Sequence, residues 1–117
     1  FPGYLELEGK MPKDFAGFDG RFTAPIHGYA GAEDYWHSCS SLHFLPNVQR
    51  PTLIINAADD TFLAPPCFPR EFAHQHDLVY LEVPENGGHC GFYSPQKDGS
   101  YWHERRAYQF IQEQLKL

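Results

Sequence analysis

One run limits the possible folds of this chain more than any other: Pro51-Thr-Leu-Ile-Ile-Asn56, short, unbroken in its apolar character and rich in β-branched residues. A strand with one wet face alternates apolar and polar residues. A run without alternation buries both faces, as a strand inside a parallel sheet requires. Leu78-Val-Tyr-Leu-Glu-Val83 reads as a second strand, closed by Pro84, Asn86, Gly87 and Gly88. Between the two, Phe68 to His76 reads as a short helix. Parallel strands need such a crossover, and strand twist makes the connection right-handed.

The flanking segments extend the pattern. From Ala32 to Leu45, residues Ala32, Tyr35, Trp36, Cys39 and Leu42 fall at helical spacing, with Glu33 and Asp34 near the end where the helix dipole favours acids. Tyr101 to Leu117 carries an apolar stripe through Trp102, Arg106, Phe110, Ile111 and Leu115. Phe1 to Pro25 lacks periodicity and is punctuated by Gly17, Gly20 and Pro25, so it reads as irregular chain with one short helix. The order helix, strand, helix, strand, helix predicts an α/β fold of parallel strands with crossover helices.

Composition narrows the function. At 117 residues, the chain suits one small domain or one piece of a larger one. With 42% hydrophobic and 16% aromatic residues it has the makings of a core. A net charge of -6 and nine scattered basic residues argue against nucleic acid, which needs clustered Lys and Arg. No apolar run approaches the roughly 18 residues that span a bilayer. The chain opens Phe-Pro-Gly, so any targeting signal lies outside these residues. Cys39, Cys67 and Cys90, an odd number without a CxxC pair, fit isolated reduced thiols. A zinc site would have to gather Cys67, His74, His76, His89 and Cys90. His74 and His76 end an apparent helix, where two-residue spacing diverges, so surface histidines are the better reading.

Open parallel sheets place chemistry beyond the carboxyl ends of their strands. The first strand ends at Asp59-Asp60 and the second at Gly87-Gly88-His89. Neighbouring parallel strands bring both ends to one rim, where a carboxylate holds a histidine in one tautomer and stabilises its imidazolium. The glycines let the backbone turn sharply ahead of His89. Taken singly, an acid after a strand is a common turn former, and Gly-Gly-His a common polar turn. In this order, at corresponding strand ends, they favour general-base chemistry.

These segments resemble the α/β-hydrolases. Pro51-Thr-Leu-Ile-Ile-Asn-Ala-Ala-Asp-Asp-Thr-Phe62 resembles their acid-bearing strand, and Gly87-Gly-His-Cys-Gly-Phe92 their histidine loop. The pairing is most similar to the branch of bacterial YheT-type and eukaryotic ABHD-type hydrolases, where Asp-Asp-x-Phe precedes Gly-Gly-His-x-Gly-Phe. Thr23-Ala-Pro-Ile-His-Gly-Tyr29, Asp34-Tyr-Trp36, Ser40-Ser41 and the Tyr101-to-Ile111 helix also resemble that branch, so the likeness runs from about Phe15 onward. In the family's Gly-x-x-Asp pattern the fourth residue is the acid. Ala57-Ala58-Asp59-Asp60 matches with alanine for glycine, which selects Asp60, leaving Asp59 to cap the loop or tune its neighbour. His89 matches the general base. Thr61 stands where the family usually has proline. Cys90, after the base, is expected to be a small buried residue rather than a nucleophile.

The family's nucleophile sits in Gly-x-Ser-x-Gly upstream of the acid. No such motif occurs here; Ser38, Ser40, Ser41, Ser94 and Ser100 all lack the flanking glycines. The resemblance therefore implies the C-terminal part of a serine hydrolase for carboxylic esters or related acyl substrates, with acid Asp60, base His89, an absent serine, and no metal or organic cofactor. Such a chain alone is expected to be inactive. The alternative is a naturally truncated, non-catalytic binding or interaction module. The open apolar edge of the 51–56 strand favours the fragment, its partner being the missing N-terminal part of the same fold; a self-dimer is the other way to cover that edge. Residues 1–30 then form a cap or connecting region, and 31–117 the acid strand, histidine loop and terminal helix. Phe62 and Phe92 are candidate pocket walls for an ester or lipid-like substrate. Tyr4, Phe15, Phe18, Phe22 and Tyr29 either line an acyl pocket or pack a core. Trp36 and Trp102 are expected to pack helices on the sheet, and Arg105 and Arg106 to pair with helix acids. Unpaired cysteines and the family likeness favour the cytoplasm.

Overall fold

Asp14 starts the helical part of the chain: its Oδ1 accepts the Gly17 N–H at 2.7 Å, capping α1 (Phe15–Phe18). The computed structural model describes residues 11–93 and 99–115, and these fall into two units, Phe1–Phe44 and Leu45–Leu117. In the first unit the chain continues from α1 through a π-helical turn, Asp19–Thr23, into α2 (Ala24–Ile26). The irregular stretch expected here is thus helical from Phe15. Pro25 stands in the first turn of α2, where a missing N–H costs nothing, so it does not break the run. Residues 1–10, including Tyr4, lie outside the described part.

The helix expected over 32–45 is α3 (Ala32–Cys39); Ser40 turns extended (φ -63°, ψ 124°) and ends it, and short 3-10 turns follow at Ser41–His43 and Leu45–Asn47. Asp34 Oδ2 accepts the Ala30 N–H at 2.9 Å, closing the turn that leads into α3. Asp19 ties the two helical stretches together, accepting from the Thr23 hydroxyl and from the Trp36 indole N–H, both at 2.7 Å. The one polar atom of Trp36 thus finds its partner within its own unit. Phe22 and Ala24 are buried, whereas Phe15 and Phe18 stay exposed.

The second unit holds the sheet. β1 (Thr52–Ile55) and β2 (Val79–Glu82) pair in parallel, Thr52 against Val79 through Ile55 against Glu82, with α4 (Arg70–Gln75) in the crossover between them. This is the α/β architecture read from the sequence. All four residues of β1 are half-buried, not fully buried on both faces as the apolar run suggests. Among the described residues β1 has one neighbouring strand, so one edge and part of each face lack cover.

α5 (Trp102–Leu115) closes the unit. Glu104 reaches back to accept the Tyr101 N–H at 2.8 Å, half of a capping box. Phe110 is buried, its ring 5.2 Å from that of Tyr80 in an edge-on arrangement. Ile111 and Leu115, expected on the buried stripe, are 52% and 61% exposed. Geometry explains this: a 14-residue helix is about 21 Å long, but four-residue strands run only about 13 Å. Arg106 also departs from expectation. It pairs with Glu113 of its own helix at 3.5 Å, but its main partner is Glu82 on β2, whose two carboxylate oxygens take the Nε–H at 2.7 and 2.9 Å.

Candidate active site

Beyond the ladder the two strand ends stay laced together. Asn56 N–H reaches Glu82 O at 3.1 Å, and Ala58 N–H reaches Pro84 O at 2.8 Å. At the next step a side chain replaces the carbonyl: Asp59 Oδ1 accepts from both Gly87 N–H (2.9 Å) and Gly88 N–H (2.8 Å). The chain turns at Ala58–Asp59, with Asp60 N–H on Ala57 O at 3.3 Å, and Asp60 enters the protein. Its side chain is 1% exposed.

Asp60 is buried but well satisfied. Oδ1 accepts the Phe62 N–H at 2.8 Å, an Asx turn that fixes the carboxylate on its own loop. Oδ2 meets His89 Nδ1 at 2.9 Å. Burial by itself pushes the Asp60 carboxyl up. The hydrogen bond from His89, the Phe62 and Leu63 amides and the imidazole's charge outweigh it, so the group lies below the ordinary carboxylate range. An ionised carboxylate only accepts, so the shared proton belongs to His89 Nδ1. The imidazole side chain is 55% exposed, and the Phe62 ring lies against it at 4.7 Å between centroids. Asp60 is held from inside while His89 keeps a face open to solvent.

The loop that delivers His89 explains its glycines. In the β1–β2 register, Asp60 would stand opposite Gly87. The chain must therefore leave the strand path before His89 can reach the carboxylate. Gly88 makes that departure with φ +62°, a left-handed conformation that a side chain would strain. Gly87 is needed for space: a Cβ there would fall 2.5 Å from the Phe92 ring and 2.8 Å from Ala57 Cβ. Its carbonyl accepts the Phe92 N–H at 2.8 Å and closes the loop. Phe92 sits at φ +41°, unusual for a bulky residue, and is held by its buried ring, stacked 5.9 Å from Trp102 and tilted 5.6 Å from His103.

Of the residues singled out from the sequence, Asp60, His89 and Phe62 converge. Phe92 lies beneath the loop, bordering a cavity of about 440 Å³ with Pro84, Tyr93 and Trp102; neither Asp60 nor His89 lines it. Cys90, expected to be buried, is exposed, because the turn that directs His89 toward Asp60 leaves its successor at the surface. His76, assigned to the surface, is half-buried and its Nδ1 accepts the Leu78 N–H at 3.2 Å. Among the described residues no three His, Cys, Asp or Glu side chains are grouped to hold a metal ion, and no helix is long and apolar enough to cross a membrane. Sequence reasoning missed that Gly87 is packed against Phe92. The available signal was a large aromatic a few residues after paired glycines.

Comparison with known proteins gives the following relatives. The chain is 38% identical over 95 residues to "Putative esterase YheT" of Escherichia coli, matching 79% of this chain and 28% of that protein. It is 40% identical over 80 residues to mouse phospholipase ABHD3, matching 68% of this chain and 20% of the relative. It is 25% identical over 111 residues to the monoacylglycerol lipase of Saccharomyces cerevisiae, matching 95% of this chain and 24% of the relative. The chain thus spans about a quarter of the length of these relatives. No protein-family model matches it, and no solved structure does.

Proposed function

Because the chain is related to the esterases and lipases of the α/β-hydrolase superfamily, we propose that it carries the acid and the base of a Ser-His-Asp triad. The observation that carries this reading is the 2.9 Å contact between buried Asp60 and half-exposed His89, set at the carboxyl ends of paired parallel strands. In the proposed reaction His89 Nε2 takes the proton of a serine hydroxyl as its Oγ attacks the substrate carbonyl. Asp60 stabilises the resulting imidazolium. His89 then returns the proton to the leaving alkoxide. In the second half a water attacks the serine-bound acyl group and gives its proton to His89, which passes it to the serine oxygen as the C–O bond breaks and the acid departs. Phe62, against the imidazole, is a wall of the reaction cleft; Phe92 acts from beneath the loop.

The serine lies on residues outside the 117, since none of the serines here has the Gly-x-Ser-x-Gly surroundings. The Asp-Asp-x-Phe and Gly-Gly-His-x-Gly-Phe pairing supports a place in the YheT/ABHD branch. The phospholipase and monoacylglycerol lipase names of its relatives support a carboxylic ester of lipid type as substrate. The free thiols Cys39, Cys67 and Cys90 favour a reducing compartment such as the cytoplasm.

A fluorophosphonate probe tests the reading. The native protein is expected to label at one serine, with labelling lost in His89→Ala, while the 117-residue chain alone takes up no label. Absence of label at every serine of the native protein rejects the triad.

A further inference from the structure

We propose that Asp59 is a positioning residue that holds the His89 loop in register with the acid, an inference that rests on the triad reading for its catalytic consequence. Two crosslinks join the strand-end loops. Asp60 meets His89, and one residue earlier on each loop Asp59 meets Gly88. The second crosslink is doubled: one carboxylate oxygen takes two consecutive backbone amides, Gly87 N–H and Gly88 N–H, at 2.9 and 2.8 Å. Those amides immediately precede the base, and their orientation sets where the His89 Cα leaves the turn. Both lie past the last backbone rung, Ala58 N–H to Pro84 O, so the carboxylate supplies the acceptor that the ladder no longer provides.

The His89–Asp60 contact is weakly held without this latch. The imidazole is more than half exposed and its loop leaves the strand path at Gly88. Loop departure is opposed by the Phe92 anchor on the far side of His89 and by Asp59 on the near side. Asp59 bonds to the Gly87 and Gly88 amides and so acts through the backbone. A base displaced by about 1 Å loses on the order of 10²-fold in rate.

The test uses the native protein and two substitutions. Asp59→Ala removes the acceptor, and Asp59→Asn keeps an oxygen in its place without the charge. The primary readout is the NMR signal of the His89 Nδ1 proton, which persists only while that proton is held by Asp60. The expected result is loss of this signal and of exchange protection at the Gly87 and Gly88 amides in Asp59→Ala, with all three retained in Asp59→Asn. Ester turnover should follow: kcat down roughly 10–100-fold with KM within about 2-fold for Asp59→Ala, and kcat within about 3-fold of wild type for Asp59→Asn. An unchanged imidazole signal in Asp59→Ala overturns the proposal whatever the turnover. If Asp59→Ala does not fold, loss of the signal in folded Asp59→Asn overturns it as well. Loss of the signal in Asp59→Ala from a protein that labels with no fluorophosphonate keeps the positioning role and rejects the triad, so the two failures are separable.

Discussion

Replacing Gly87 with alanine adds one methyl group where the structure has no room for it. The new Cβ would stand 2.5 and 2.6 Å from Cδ1 and Cε1 of Phe92, and 2.8 Å from Ala57 Cβ. Carbon pairs rest at about 3.5–4.0 Å, so each neighbour must withdraw by roughly 1 Å. Neither is free to do so. Ala57 is 1% exposed just past β1, and Phe92 is stacked on Trp102 with His103 tilted against it. Overpacking of this kind costs about 1–3 kcal/mol. Restricting the unfolded chain returns about 0.4–1 kcal/mol, because Gly87 is not in the left-handed region. The net expectation is a loss of about 1–2 kcal/mol, or roughly 4–8 °C in Tm per kcal/mol for a domain near this size.

Urea unfolding measures this as a lowered midpoint at unchanged slope. A double-mutant cycle then isolates the cause. Phe92→Ala alone costs about 3–5 kcal/mol, by emptying a buried ring site. In the double variant, however, the methyl at residue 87 enters the space that the ring has vacated. The double variant is therefore expected to be more stable than the sum of its parts by at least about 1 kcal/mol. Additivity within about 0.5 kcal/mol means the two sites are uncoupled and refutes the steric account.

Two further outcomes follow from the geometry. The Asp60 carboxyl lies below its ordinary range in the folded protein, so its stabilising contribution is present above about pH 4 and is lost as pH falls through the depressed folded value. The wild-type and Asp60→Asn urea midpoints should therefore differ most near neutrality and converge in acid; a constant difference at every pH contradicts the assignment. Arg106→Met should destabilise by about 1–2 kcal/mol because it leaves Glu82 without its twofold hydrogen bond, while Arg105→Met, at the surface, stays within about 0.5 kcal/mol. Equal thermal shifts for the two variants reject the strand-to-helix role of Arg106.

The features legible in the sequence were those fixed by neighbouring residues. β1 and β2 lie within one residue of the apolar runs that announce them, and each chemical residue follows its strand by a short loop. The features that were not legible depend on partners distant in the chain. Glu82 reads as one polar residue in a strand and gives no sign of Arg106. Residues 15–26 lack a helical stripe, yet coil, because Asp14 caps one end and Asp19 ties the middle to Trp36. Ile111 and Leu115 fit an apolar stripe at the right spacing, but spacing says nothing about how much sheet lies beneath it.

Adjacent parallel strands offer a way to divide a catalytic site between chain segments. Backbone bonds set the register through Ala58, Asp59 carries it one step further, and Gly88 bends the loop so that His89 reaches Asp60. These contacts run from the strand pairing at Thr52 to the loop that Phe92 anchors on Trp102 and His103. None requires the segment that would supply a nucleophile. The placing of His89 against Asp60 is therefore a property of the second unit. The paired glycines matter to that placing as much as the histidine: Gly87 leaves room beside Phe92, and Gly88 turns the chain so that His89 meets Asp60.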